Sequence, residues 1–195
     1  MIRTALIALA LPLAACATAN LGAADAPETE ALPSAQELPG PAEGVFPSML
    51  AVSGDVIGGS GDVIGALTGQ FGPHGLLIQV EIAPGGLTPG WHGLHLHQVG
   101  NCSDVGEFKL SGGHMGMIDG GHGLLNPKGP ESGDVPNIWA AADGSAGYEA
   151  FTNLVTPGDL MDEDGTALII HANRDDHLTQ PIGGAGPRVA CAIIQ

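Results

Sequence analysis

Residues 91–98 read Trp-His-Gly-Leu-His-Leu-His-Gln, three histidines within six residues of an otherwise apolar, glycine-rich stretch. In an extended strand, side chains alternate faces, and residues two apart stand about 6.6–6.8 Å apart on one face. His95 and His97 therefore converge on one side, with Leu94 and Leu96 on the other. His92 shares the parity of the leucines, which gives it a supporting hydrogen bond rather than a place around a common ion. Two imidazoles on one strand also describe an ordinary part-buried pair, so the reading needs further donors.

Those donors lie downstream. The segment Ser111-Gly-Gly-His114-Met-Gly-Met-Ile-Asp-Gly-Gly-His122, running on to Glu131 and Asp134, places two histidines and two carboxylates in a loop rich in Gly and Pro. Such a loop can curl them around a centre. His171 closes the apolar run Thr166-Ala-Leu-Ile-Ile-His171. Imidazole suits copper and zinc, and mixed imidazole and carboxylate ligation favours zinc. An all-histidine set of His95, His97, His114 and His171 suits a copper ion cycling between two oxidation states. His114, with one ring nitrogen for each ion, can bridge the two as imidazolate. His74 in Phe-Gly-Pro-His-Gly reads as an exposed turn residue and His177 as a loop residue near the rim. Trp91 and Trp139 read as packing residues, and Asp162-Glu163-Asp164 as a solvated turn.

The elements that must position these residues are strands. With 32 Gly and 15 Pro, 44% hydrophobic and 13% charged residues, the 195-residue chain fits one β-rich domain with many turns. Segments 75–82, 93–99, 135–141, 166–172 and 188–194 are short apolar runs bounded by Gly, Pro and Asp, the pattern of strands. Ser-Gly-Asp-Val-Ile-Gly occurs at 53–58 and again at 60–65, a local duplication at a strand and turn. Asp143-Gly144 and Asp164-Gly165 predict hairpin turns. No long stretch has helical periodicity, so an antiparallel sandwich or barrel is expected.

The formal charge of −16, with only five Lys and Arg, repels phosphate backbones and anionic lipid surfaces and excludes nucleic acid as a partner. Met1-Ile-Arg3 followed by an apolar run has the layout of a signal peptide, too short to span a bilayer as a stable helix. Leu13-Ala14-Ala15-Cys16 resembles the bacterial lipobox, with Cys16 acylated as the first mature residue. Residues 1–15 thus read as signal peptide and 16–45 as a lipidated N-terminus and disordered tether, whose 28 residues from Ala17 to Gly44 would extend roughly 30 Å as a coil. Contact with the membrane is through the N-terminal lipid only. Three cysteines are an odd number for an exported chain. With Cys16 lipidated, Cys102 and Cys191 remain, and in an oxidising compartment they can bridge. Ala17 in place of an inner-membrane retention aspartate points to a periplasmic protein tethered to the outer membrane, in a leaflet the sequence leaves open.

The ordered set His92-Gly-Leu-His-Leu-His-Gln-Val-Gly-Asn-Cys102, Ser111-Gly-Gly-His114, His122-Gly followed by Gly133-Asp-Val-Pro-Asn137, and Ile169-Ile-His-Ala-Asn-Arg-Asp-Asp176 followed by Gly183-Gly-Ala-Gly-Pro-Arg-Val-Ala-Cys191 resembles the copper-zinc superoxide dismutases, particularly their exported bacterial members. The resemblance covers roughly residues 50–195. It implies a Greek-key antiparallel β-barrel or sandwich of about eight strands with long metal-binding loops over residues 46–195. It also implies superoxide as substrate, disproportionated to O2 and H2O2 by a cycling Cu(II)/Cu(I) centre with an adjacent zinc. Electrostatic steering and a near-diffusional rate are properties borrowed from that family, which is itself a standard instance of both.

By the same resemblance His95, His97, His114 and His171 fall on copper positions, with His114 also bridging to zinc, and His122 and Asp134 fall on zinc positions. Asp175 matches a carboxylate linking a copper histidine to a zinc histidine, a role that fixes ring orientation. Arg188 matches the substrate-guiding arginine, Arg188 and His114 are the expected catalytic residues, and Cys102 and Cys191 match the family disulfide. One position departs: Glu131 stands where the family places a third zinc histidine, and ligation by its carboxylate is the preferred reading over a solvated turn acid. Met115-Gly116-Met117 replaces an aromatic-containing turn. The rival functions are an envelope copper carrier on the same fold and, with less support, a zinc hydratase or hydrolase. The sequence leaves oligomeric state open, a homodimer included.

Overall fold

The computed structural model describes residues 50–195. The signal peptide, Cys16, the tether and the expected domain start at residue 46 lie outside the described residues. Among those described, nine strands follow in order: β1 (Ala51–Gly58), β2 (Val63–Gly72), β3 (Gly75–Ile82), β4 (Gly90–His92), β5 (Leu94–His97), β6 (Ile138–Ala140), β7 (Ala146–Thr152), β8 (Thr166–His171) and β9 (Arg188–Ile194). Seven form one antiparallel sheet in the order β5-β8-β9-β1-β2-β3-β7, while β4 pairs with β6. Only Gly93 separates β4 from β5, so residues 90–97 act as one bent strand that passes from the small sheet to the large one. Counted that way there are eight strands, and the β3–β4 and β7–β8 connections cross over in Greek-key fashion.

The alternation expected of half-buried strands is cleanest in β3, whose Leu76, Ile78, Val80 and Ile82 are buried. These join Val52, Val56, Leu67, Leu94, Leu96, Ile138, Leu168, Ile170 and Ala192 in one core that draws on both sheets. β8 differs, because all six of its residues are buried. Leu168 and Ile170 enter the main core. Ala167 and Ile169, on the opposite face, pack under Phe108 with Cys102 and Cys191 in a second cluster. A strand covered on both sides reads as a continuous apolar run, as Thr166-Ala-Leu-Ile-Ile does. The cover is clasped by a Cys102–Cys191 disulfide closing 89 residues of chain.

Of the two turn expectations, one holds and one changes. Asp143-Gly144 does sit in a tight turn, with Gly144 N–H donating to Ala141 O. Ala141 N–H also donates to Ser145 O, which closes the expected hairpin, although the strands it joins, β6 and β7, are assigned to different sheets. Asp164-Gly165 follows the one-turn helix α1 (Pro157–Leu160) instead of a strand. The tryptophans also differ from expectation. Trp91 and Trp139 face each other across β4 and β6, edge to face with ring centroids 5.0 Å apart, and both are exposed.

Candidate metal centre

β5 and β8 run antiparallel with His95 opposite Ile169 and His97 opposite Ala167. His171 shares the parity of those two residues. All three imidazoles therefore project from the outer face of the barrel, opposite the leucines that enter the core. The loop carrying His114 is tied to the same strand, since Leu96 O accepts from Met115 N–H and Leu96 N–H donates to Gly133 O, each at 2.9 Å. Gly133 lies so close to Leu96 O that any side chain there would overlap it. A backbone approach this tight requires glycine.

The result is two adjoining groups of buried donors. His95, His97, His114 and His171 form one, and His114, His122, Glu131 and Asp134 the other, with the candidate ligand atoms of each group within 4.8 Å of one another. In the first, each imidazole has one nitrogen fixed by the protein. His97 Nδ1–H donates to Gly112 O at 3.0 Å, His171 Nδ1–H to Gly186 O at 2.9 Å, and His95 Nε2–H to Asp175 Oδ2 at 2.7 Å. Carbonyls and carboxylates accept only, so these contacts set the tautomers. The opposite atoms, His95 Nδ1, His97 Nε2, His114 Nε2 and His171 Nε2, are buried without a hydrogen-bond partner. An orphaned buried polar atom costs about 1–3 kcal/mol. Four of them converging in one place fit a metal ion, and four imidazole nitrogens fit copper.

In the second group, His114 Nδ1 lies 2.9 Å from Glu131 Oε2, and His122 Nδ1 lies 2.9 Å from Asp134 Oδ1. That last pair is close yet lacks hydrogen-bond alignment, as two atoms do when both aim at a third point. Each carboxylate is anchored by its other oxygen. Asp134 Oδ2 accepts from Gly123 N–H and Glu131 N–H at 2.7 and 2.9 Å, and Glu131 Oε1 accepts from Ile118 N–H at 3.0 Å. Glu131 is as buried as its neighbours, which excludes the solvated turn acid. Two nitrogens and two carboxylate oxygens fit zinc.

Asp175 joins the groups. Its Oδ2 accepts from His95 at 2.7 Å and lies 3.2 Å from His122 Nε2. Gly183 makes room: a Cβ there would overlap Asp175 Oδ1, and its φ of 60° is already left-handed.

The electrostatics of the groups differ. Burial, then the charge of His114, presses the His97 pKa down to about 2. Burial and His95 take His171 to about 3. His95, also depressed chiefly by burial, stops at about 4 because Asp175 accepts its proton. His95, His97 and His171 are thus held as neutral imidazole, the ligating form. Burial also opposes charge on His122, but Asp134 and Asp175 outweigh it and raise its pKa to about 10. Burial would raise both carboxylates as well, yet the histidines facing them hold Asp134 and Asp175 well below the usual range. Without a metal, His122 is therefore the cation that balances Asp134 and Asp175.

The site opens into a cavity of about 1030 Å³ lined by His97, His114, His171, Met117, Lys109 and Arg188, among others. Arg188 Nη1 donates to Phe108 O at 2.6 Å and Ser111 Oγ at 3.0 Å, and Nη2 donates to Gly112 O at 2.7 Å. His92 lies on the core side, its two nitrogens 2.7 Å from His171 O and Thr88 O. His74 is exposed in the β2–β3 turn. His177 is less peripheral than its loop position suggests, because its Nε2 accepts from Asn137 Nδ2 at 3.0 Å. Sequence reasoning missed Asn137, which also bonds the backbone of Asp175 in both directions. It missed Gln180, whose amide clamps His122 N–H and O, and Ser111. Ser111 and Asn137 lie inside the recognised motifs, but nothing in the sequence shows what their side chains bond.

The family model described as copper/zinc superoxide dismutase (SODC) matches residues 65–194. Among curated proteins, the superoxide dismutase [Cu-Zn] of Caulobacter vibrioides is 48% identical over 145 residues, 70% of this chain and 81% of that protein. Superoxide dismutase [Cu-Zn] 1 of Aquifex aeolicus is 35% identical, over 75% of this chain and 88% of that one. Among solved structures, a SOD-like protein from Bacillus subtilis superposes with a TM-score of 0.63 at 32% identity, covering 72% of this chain and 96% of that chain. With the two donor groups side by side and the family match spanning both, the chain belongs to the copper/zinc superoxide dismutase family.

Proposed function

We propose that this protein disproportionates superoxide to O2 and H2O2, with copper held by His95, His97, His114 and His171 and zinc held by His114, His122, Glu131 and Asp134. The observation that carries the reading is the set of four partnerless buried nitrogens, those of His97, His114 and His171 at the wall of a cavity that also holds a guanidinium and that of His95 behind them. Bound copper supplies the one-electron chemistry, alternating between Cu(II) and Cu(I). The protein does the rest. Arg188 attracts the anion into a cavity of an otherwise acidic molecule. His114 would be the residue able to take up a proton at Nε2 when copper is reduced and to give it back as superoxide is reduced to H2O2, the second proton coming from solvent. Gly112 O, Gly186 O and Asp175 keep the other rings in their ligating tautomers, and His92 braces the backbone of His171.

The test is superoxide decay by the protein reconstituted with copper and zinc and shown to hold copper. Rapid decay that slows as salt rises supports the dismutase. A rate no better than a simple copper complex at full loading would transfer the function to copper handling. The carrier reading needs the histidines but not a clamped arginine in the same cavity, and the family match does not favour it.

We place the protein in the periplasm, tethered to the outer membrane through Cys16. The support is the Leu13-Ala14-Ala15-Cys16 sequence and the disulfide, which suits an oxidising compartment. Cys16→Ser should move the protein from the membrane to the soluble fraction; retention on the membrane would remove the anchor.

A further inference from the structure

Ser111 is fully buried, sits two residues beyond the exposed Lys109, and is the one side-chain hydroxyl that touches both the candidate anion-binding group and a candidate copper ligand among the described residues. Its Oγ–H donates to Phe108 O at 2.7 Å. Its lone pairs receive Arg188 Nη1–H at 3.0 Å and lie 3.3 Å from His97 Nδ1, whose main acceptor is Gly112 O. A hydroxyl has one hydrogen and two acceptor sites. Every one of them is used.

The consequence for Arg188 follows from counting. A guanidinium has five N–H donors. Phe108 O and Ser111 Oγ take both hydrogens of Nη1, and Gly112 O takes one of Nη2. One Nη2 hydrogen and the Nε hydrogen are left for an anion. All three acceptors come from one short segment, and two of them are backbone, so their positions follow the loop. Ser111 alone adds a side-chain acceptor, a third point that with Phe108 O and Gly112 O fixes the orientation of the planar guanidinium.

From this geometry we infer that Ser111 is a positioning residue: its hydroxyl holds Arg188 so that the free edge of the guanidinium faces the incoming anion beside His97. The inference rests on the proposed dismutase reading for its biological purpose, but its physical content is anion affinity, which is measured separately.

The experiment uses the protein loaded with copper and zinc, with sodium azide as the probe anion, titrated by the Cu(II) visible spectrum. Ser111→Ala removes the hydroxyl with little change in volume. It should weaken azide binding about three- to tenfold, the scale of one ordinary hydrogen bond. Copper content should stay unchanged. A double-mutant cycle isolates the route: in the Arg188→Ala background, Ser111→Ala should alter azide affinity less than twofold. Equal weakening in both backgrounds would overturn the proposal, because the hydroxyl would then act through His97 or the fold. Unchanged affinity in Ser111→Ala, or loss of copper from it, would overturn it too. A parent protein that binds azide tightly, responds to both substitutions and yet does not remove superoxide would retain Ser111 in this role while sinking the dismutase reading.

Discussion

At the scale of single residues, the position that departs from its family is also the one whose geometry is clearest. Glu131 presents one oxygen to the second donor group while Ile118 N–H holds the other, as Asp134 does with Gly123 N–H. Glu131→Ala should lower zinc affinity by at least about tenfold, measured by competition with a chromogenic chelator. Zinc held as tightly as in the parent would remove Glu131 from the site. Arg188→Ala should lower kcat/KM for superoxide with copper content unchanged, and unaltered kinetics would exclude the arginine from the mechanism. Titration gives a third expectation for the metal-free protein. His95, His97 and His171 have folded pKa values below the ordinary 6.5, so below that pH the unfolded chain binds protons that the folded one refuses, and stability falls with pH. His122, raised to about 10, contributes stability that is present below pH 6.5 and lost on the way to 10. Thermal midpoints after chelation should therefore peak near pH 6.5 and decline on both sides; a midpoint that keeps climbing into acid would contradict the buried neutral imidazoles.

At the scale of elements, the disulfide clasps the loop from Cys102 to the outer face of β8 and to β9. The same loop supplies Phe108 O, Ser111 and Gly112 O to Arg188. Loop-closure entropy for 89 residues gives the bridge about 4–5 kcal/mol. Replacing both cysteines with alanine should lower the denaturant midpoint accordingly, and an unchanged midpoint would mean that the unfolded chain is not constrained by the bridge. How much of this was legible in sequence depends on what bounds each strand. β3 and β9 match their expected 75–82 and 188–194 at both ends, because alternation or an apolar run meets Gly or Pro there. The expected 93–99 shrinks to β5, since Gly93 breaks the ladder and the backbone from Gln98 turns to bond Gly113 and Ser111. The expected 135–141 shrinks to β6 because Asn137 is diverted to Asp175. β7, Ala-Gly-Tyr-Glu-Ala-Phe-Thr, exposes alternate residues and buries only Thr152 fully, so it carried little signal. The histidines could be paired by parity within β5 and joined to His114 and His171 by residue type and context, but the roles of Asp175 and Arg188 needed the recognised motif order. The carbonyl acceptors behind them have no sequence signature at all.

At the scale of the whole molecule, a net charge of −16 confronts an anionic substrate. Of the four Lys and Arg among the described residues, Lys109 and Arg188 line the cavity, and the Lys128 ammonium packs beside Gly120, another lining residue. Lys109 is exposed and paired with Glu107 at 2.6 Å, so Arg188 dominates the local field. Raising salt from 10 to 150 mM, which shortens the screening length from about 30 to about 8 Å, should slow the reaction if the local positive field governs encounter and speed it if the global negative charge does. A different consequence concerns how such a molecule can be watched. Its two tryptophans are the same exposed pair, Trp91 against Trp139, on the outer side of β4 and β6. All indole emission thus originates from one spot on the small sheet, with Trp91 on the same bent strand that carries His92, His95 and His97. Fluorescence will report the parting of that sheet and the arrival of a quenching ion nearby, and it will be nearly blind to the side of the barrel that the disulfide clasps.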